Sequence, residues 1–314
     1  KAGIGIALAL NVVNDVTIAT TRRDLNVGGD LEFGAHNASA SDAQAKASAA
    51  GAQEESSGTP ENGVDQQVGS QRGLADRKAS EGGTTGSGSA ATPKAETSQG
   101  GISVAAAIGI DIASSKAQAF IPDSGHVTAG GVLRLRASNN TDATSKADGS
   151  ATSSGTGTGI GVGVALTVVH AVNDGSIGSN AQVHGGGLVL EAKMTDVGGD
   201  KVNTFGADAT SGASGGKIGV AGSLALNVAE AKSRAEIKSG AVVTIIGGGD
   251  LAFAAEGNSA TTALAKADAS VPDKVGIGLS VSLNIANSEA VATIADGAVV
   301  TGGHNLTMTA DSDN

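Results

Sequence analysis

Val275-Gly276-Ile277-Gly278-Leu279-Ser280-Val281-Ser282-Leu283-Asn284-Ile285 alternates without a break, large aliphatics at odd positions and Gly, Ser or Asn at even ones. A period of two sends consecutive side chains to opposite faces, which is the geometry of a strand; a helix would repeat its apolar positions every three to four residues. Four more runs follow the same rule: Ile4-Ile6-Leu8-Leu10-Val12, Ile102-Val104-Ala106-Ile108-Ile110-Ile112, Ile160-Val162-Val164-Leu166-Val168 and Ile218-Val220-Gly222-Leu224-Leu226-Val228. The small-residue face carries no charge pattern of a solvated surface, so it is expected to lie against another layer.

The runs are spaced regularly. A polar residue near the end of each, Asn11, Asp111, Thr167, Asn227 and Asn284, gives intervals of 100, 56, 60 and 57. Gly-Gly pairs beginning at Gly28, Gly130, Gly186, Gly248 and Gly302 give 102, 56, 62 and 54. Both marks agree on a unit near 57 residues with one unit stretched by an insertion. Repetition at such a period is the mark of a solenoid. The expected fold is all-β, a parallel β-solenoid (β-helix) of about five repeats. Residues 1–51 form the first repeat, 52–99 a Gly/Ser-rich polar loop insertion, and 100–314 repeats two to five.

Within the unit, Asn14-Asp15, Asn173-Asp174 and Asn287-Ser288 predict a turn after the first strand. A short second strand is predicted over Val16-Thr17-Ile18 and its equivalents. A third begins after Gly-Gly, as Leu31-Glu32-Phe33, Leu133-Arg134-Leu135, Leu188-Val189-Leu190, Leu251-Ala252-Phe253 and Leu306-Thr307-Met308. In-register stacking would set Glu32, Arg134, Val189, Ala252 and Thr307 in one column and Gly34, Arg136, Glu191, Ala254 and Thr309 in the next. Arg134 then neighbours Glu32 and Arg136 neighbours Glu191, the opposite-charge arrangement that adjacent strands favour. A fourth element alternates Ala with polar residues, as in Ala43-Ala45-Ala47-Ala49 and Ala263-Ala265-Ala267-Ala269. Strict alternation makes it a strand despite its alanine content. An apolar run of ten to twelve residues is long for one side of a narrow coil, so the rung is expected to be wide or flattened. Aliphatic ladders are expected to fill its interior, so that Leu226→Asp would bury an unpaired charge.

Composition narrows the function classes. Of 314 residues 39% are hydrophobic but 1% aromatic, with no Trp or Tyr, so any core must be thin and aliphatic. The net charge of −11 lacks the basic footprint of a nucleic-acid binder. Cysteine is absent, which removes disulfide scaffolds, Cys-based zinc sites and thiol nucleophiles. No apolar stretch is long enough for a membrane-spanning helix. A transmembrane β-barrel would need aromatic girdles that four Phe cannot supply. The chain opens on Lys1 with the repeat already in phase, and the repeat is still in phase at Asn314. The expectation is a segment of a longer array.

No constellation for catalysis is apparent. His36, His126, His170, His184 and His304 are not spaced as metal ligands. Asp123, Asp196, Asp200, Asp208 and Asp268 are scattered, with no recurring carboxylate pair of glycosidase type. Ser153, Ser154 and Ser211 have no identifiable base or orienting acid. Gly247-Gly248-Gly249-Asp250-Leu251 matches part of a calcium-binding nonapeptide but lacks its Gly-x-Asp spacing. No catalytic, cofactor-binding or metal residue is assigned, and calcium at acidic turns would be incidental.

Taken whole, the repeat resembles large bacterial filamentous adhesins of the filamentous-haemagglutinin and leukotoxin-like type. The resemblance is carried by Gly219-Val220-Ala221-Gly222-Ser223-Leu224-Ala225-Leu226-Asn227-Val228, then Ala241-Val242-Val243-Thr244 and Gly248-Gly249-Asp250-Leu251. The segment Asp296-Gly297-Ala298-Val299-Val300-Thr301-Gly302-Gly303 is similar to the GA-x-V-x-x-GG pattern of such proteins. It covers all but the insertion, and the unit is longer than a single 19-residue haemagglutinin coil. The resemblance implies a right-handed β-solenoid, export from a Gram-negative cell and a role in attachment. The expected function is a non-catalytic shaft segment of a secreted surface adhesin. Its partners would be a host-cell, matrix or neighbouring bacterial surface, with lateral self-association a further option, and no nucleic acid. The alternative is an adhesive module that binds glycan, ice or a like chain through the insertion or a flat Thr/Ser/Asn face. A polysaccharide-degrading β-helix enzyme is a third reading.

Overall fold

A computed structural model describes residues 2–50, 102–153, 157–271 and 274–314; the 52–99 insertion falls outside them. The chain is all-β, and its strands stack in parallel into three sheets. The front sheet contains β1 (Ala2–Thr20), β4 (Ile102–Ile121), β7 (Thr158–Ile177), β11 (Ile218–Ile237) and β14 (Val275–Ile294), neighbours in that order. A narrow edge sheet contains β2 (Leu25–Val27), β5 (His126–Ala129), β8 (Gln182–Gly185), β12 (Val242–Ile245) and β15 (Val299–Thr301). The back sheet contains β3 (Leu31–Ala50), β6 (Val132–Ser153), β9 (Gly187–Met194), β10 (Asn203–Gly215), β13 (Leu251–Ser270) and β16 (Leu306–Asp313). Each rung runs out along the front, across the edge and back behind, so this is a flattened parallel β-solenoid of about five rungs.

Register is kept throughout the front sheet. Leu10 pairs with Ile110, Ile110 with Leu166, Leu166 with Leu226 and Leu226 with Leu283. Both charged columns fall where the spacing puts them, Glu32 beside Arg134 beside Val189, and Gly34 beside Arg136 beside Glu191. One ion pair is the neighbour pair the columns predict, Arg136 with Glu191; the other is displaced by one column, Arg134 reaching Asp30 instead of Glu32. Arg134 binds Asp30 at 2.7 Å, while Arg136 sits between Glu191 at 2.8 Å and Glu32 at 3.6 Å.

Two expectations about the strands are corrected. No turn follows the apolar run; β1, β7 and β14 pass straight through Asn14-Asp15, Asn173-Asp174 and Asn287-Ser288. Asn173 points inward and donates to the Lys193 carbonyl at 3.0 Å and to the Ser233 hydroxyl at 3.3 Å, so its amide serves the interior instead of capping a turn. The third and fourth elements are likewise one continuous strand in β3, β6 and β13. The chain turns later, at Pro122–Gly125, Gly178–Ala181, Lys238–Ala241 and Ala295–Ala298, each closed by an N–H to C=O bond of 3.0–3.3 Å. The third residue of these turns has positive φ: Ser124, Asn180, Gly240 and Gly297. Glycine and asparagine tolerate that geometry best.

A third correction concerns which face is inside. The large aliphatics of the front strands point outward, and the small residues point in. Ala105, Ala107, Ala165, Ala225 and Ala45, Ala47, Ala147, Ala209 from the back sheet form one buried layer. The gap between the sheets admits nothing larger. A Cβ on inward Gly109 would stand 2.5 Å from the Lys146 carbonyl oxygen, and Gly5, Gly161 and Gly163 meet the back-sheet backbone in the same way. Such an interface is tighter than the roughly 10 Å spacing of sheets whose side chains interdigitate. Leu226 is therefore outward and half-buried only by its strand neighbours.

At the edge sheet the rung thickens into an aliphatic prism. Rung two contributes Ile121, Val127, Leu133 and Leu135, and the same positions recur as Ile177, Val183, Leu188 and Leu190, then Ile237, Val243, Leu251 and Phe253. Phe33 and Phe253 are core residues as their positions predict. Between prism and alanine layer lies a polar belt. Asp111 accepts from Ser41 at 2.6 Å, Thr167 donates to the Gly206 carbonyl at 2.6 Å, and Asn227 donates to the Phe205 carbonyl at 3.3 Å. These are the polar residues that mark the repeat.

Candidate interaction surface

The outward aliphatics assemble because each front strand alternates and each strand keeps register. Five columns run across β1, β4, β7, β11 and β14. One reads Leu8, Ile108, Val164, Leu224, Val281 and the next Leu10, Ile110, Leu166, Leu226, Leu283. The outer columns begin at Ile4 and end at Val12 on β1 and at Ile277 and Ile285 on β14. No member of the five columns is polar or charged. Exposure is high at the rim of the stack, 75% at Ile6, 68% at Leu8 and 66% at Leu279. One hollow interrupts the face where Gly222 stands among Val162, Leu224 and Leu279, with no atom near the position of its missing side chain.

Five strands about 4.8 Å apart and five columns about 6.6 Å apart give a flat apolar area on the order of 800 Å². Ordinary monomers rarely expose a continuous apolar patch beyond roughly 300–600 Å².

The face ends abruptly along each strand. The next outward column reads Asn14, Ser114, His170, Glu230, Asn287, followed by Val16, Lys116, Val172, Lys232, Glu289. Ion pairs cross the rungs here. His170 Nδ1 meets Glu230 Oε2 at 2.7 Å, and Arg234 meets Glu289 at 3.0 Å. Hydrogen bonds from Lys232 and His170 hold the Glu230 carboxyl below its usual range. The back sheet contrasts with the front, its outward positions mixing Lys46, Asp148, Thr210 and Lys266.

The residues weighed for chemistry are dispersed. His36 bonds Ser138 at 2.8 Å, His126 lies 3.5 Å from Asp24 and His304 3.5 Å from Asp250. Asp196 and Asp200 sit in an excursion between β9 and β10, where Val197 bridges Asp200. Asp142, beside it, accepts from the Thr204 N–H at 2.8 Å, and burial pushes its pKa up. Ser153 and Ser211 are buried. Gly247 and Gly248 form a positive-φ corner, and Asp250 accepts from Asn305. Among the described residues no three His, Cys, Asp or Glu converge as a metal site would require. No helix among them is long and apolar enough to cross a membrane.

Sequence reasoning missed the front face itself. The signal was present: Gly/Ala columns stand on both the apolar runs and the Ala-rich strands, two small faces matched in size. Comparison with protein-family models, curated proteins and solved structures finds no match for this chain.

Proposed function

We propose that the chain is a non-catalytic shaft segment of a secreted bacterial surface adhesin, a spacer that holds a binding module away from the cell. The observation that carries this reading is the unbroken column from Leu10 to Leu283, with every front strand in register with its neighbours. Each rung adds about 4.8 Å of length at the cost of one more copy of the same local structure. The resemblance of the repeat to filamentous adhesins supports the extracellular setting.

Excising one rung tests the reading. Removing residues 158–217 brings β11 onto β4, whose positions β7 relates to it one for one. A shaft refolds with an unchanged strand spectrum by circular dichroism and a cooperative melt, shortened by one rung. Loss of folding on excision would overturn the equivalence on which a spacer depends.

A further inference from the structure

We infer that the front face is a lateral interface to a second copy of this chain, the two sheets packing face to face. Three observations select that occupant. First, the area is on the order of 800 Å², which is what one partner contributes to a standard stable interface. Second, the chain carries a net charge of −11, and copies repel unless they meet where charge is absent. The five front columns are such a place. Third, the charged columns set the direction of pairing.

A closed dimer places a two-fold axis in the interface. An axis along the strands would lay Lys116 of β4 against Lys232 of β11 of the partner and Asp174 of β7 on its own copy. An axis along the stacking direction turns the strands end for end. The column of His170 and Glu230 then meets the uncharged column of Ile102, Thr158, Ile218 and Val275, and the columns from Lys116 onward overhang into water on either side. The second arrangement avoids the repulsion, and it leaves both solenoids pointing the same way, side by side. Val164, in the middle strand and the middle column, then meets its own copy. The hollow at Gly222 gives the facing surface a recess of about one side chain. The inference rests on surface chemistry alone, so its failure would leave the shaft reading untouched.

Sedimentation equilibrium of the full chain at tens of micromolar tests it. The expected species is twice the 30.0 kDa chain. Val164→Asp should weaken pairing at least 100-fold while the strand spectrum stays unchanged. The chain has no cysteine, so single-cysteine variants report geometry cleanly even if the charged variant fails to fold. Val164→Cys should be joined to its own copy by a short thiol-reactive bis-maleimide that spans two facing sheets, and Thr262→Cys on the outer face of the back sheet should not. A wild-type chain that sediments as a monomer at 100 micromolar would overturn the inference. Co-flotation of a monomer with phosphatidylcholine vesicles would assign the face to lipid instead. Equal cross-linking of the Val164 and Thr262 variants would remove the face's claim to specific pairing.

Discussion

Gly149 of β6 lies directly behind Val162 of β7, so close that a Cβ on the glycine would overlap the valine carbonyl oxygen. The contact is backbone against backbone, and a strand carbonyl bound into its ladder cannot step aside as a flexible side chain can. Gly149→Ala should therefore destabilise the chain by about 1–3 kcal/mol, the range for overpacking a tight interior. Gly222→Ala, in the neighbouring front strand but facing open space, should change stability by no more than about 0.5 kcal/mol. Denaturant melts of the two variants check the difference, and equal effects would contradict the thin interior.

Leu190 and Leu226 make the complementary comparison. Leu190 is 0% exposed in the prism, whereas Leu226 stands outward on the front sheet. Truncation of Leu190 to Ala should cost about 2–5 kcal/mol. The same truncation at Leu226, measured below micromolar concentration where copies stay apart, should cost under about 1 kcal/mol. A larger loss at Leu226 would place the core on the wrong side of the sheet.

Those two residues also show what the sequence conveys and what it withholds. Alternation makes both of them strand residues, and the repeat fixes each one's neighbours, so the columns of Leu226 and of Leu190 follow from spacing alone. Alternation says nothing about which of two faces is enclosed. Hydrophobicity favours hiding Leu226, but the facing strands offer Ala43, Ala45, Ala147 and Ala209, and a layer of alanines cannot accommodate leucine opposite. Packing dimensions overrule transfer energy there. Asn14-Asp15 misleads for a related reason: turn preference is a local tendency, and the ladder to Ser114-Ser115 keeps β1 extended. The excursion at Asp196–Asp200 is legible only as excess length. The intervals of 60 and 62 both contain it, and the step from Asn139–Met194 to Ala143–Phe205 locates seven extra residues, 62 less 55.

Asp111 predicts a pH dependence. It is shielded from water, and burial raises its pKa above the ordinary aspartate value despite the Ser41 hydroxyl. In the unfolded chain it ionises near 3.8. As pH rises through the window between that value and the raised one, the unfolded chain loses a proton that the folded chain keeps, so stability falls. Asp111→Asn should remove this slope, since Asn227 already serves the same column. The variant should be more stable than wild type at pH 7, with the gain absent near pH 3.5. Thermal melts across that range read it directly. A variant no more stable than wild type at neutral pH would refute the burial argument.

Arg136 ties three rungs through Glu32 and Glu191 but does so at a partly exposed surface. Arg136→Gln should cost less than about 1 kcal/mol at low ionic strength and still less in 1 M salt. A salt-independent loss of several kcal/mol would mean that the guanidinium stem, not its charge, carries the contact.

The polar belt and the alanine layer together act as a proofreading device for assembly. Sliding a strand by one residue would turn isoleucine and leucine into a space where a methyl group barely fits. Sliding it by two towards the alanine layer would restore small residues to that space but set Asp111, Thr167 and Asn227 opposite Ala43, Ala147 and Ala207, away from Ser41, Ser145 and the Phe205 carbonyl. Steric bulk rejects every odd misalignment, and unanswered polarity rejects the nearest even one towards the alanine layer. A newly made rung thus meets a local check on its alignment with its predecessor, whatever the order in which the rungs form.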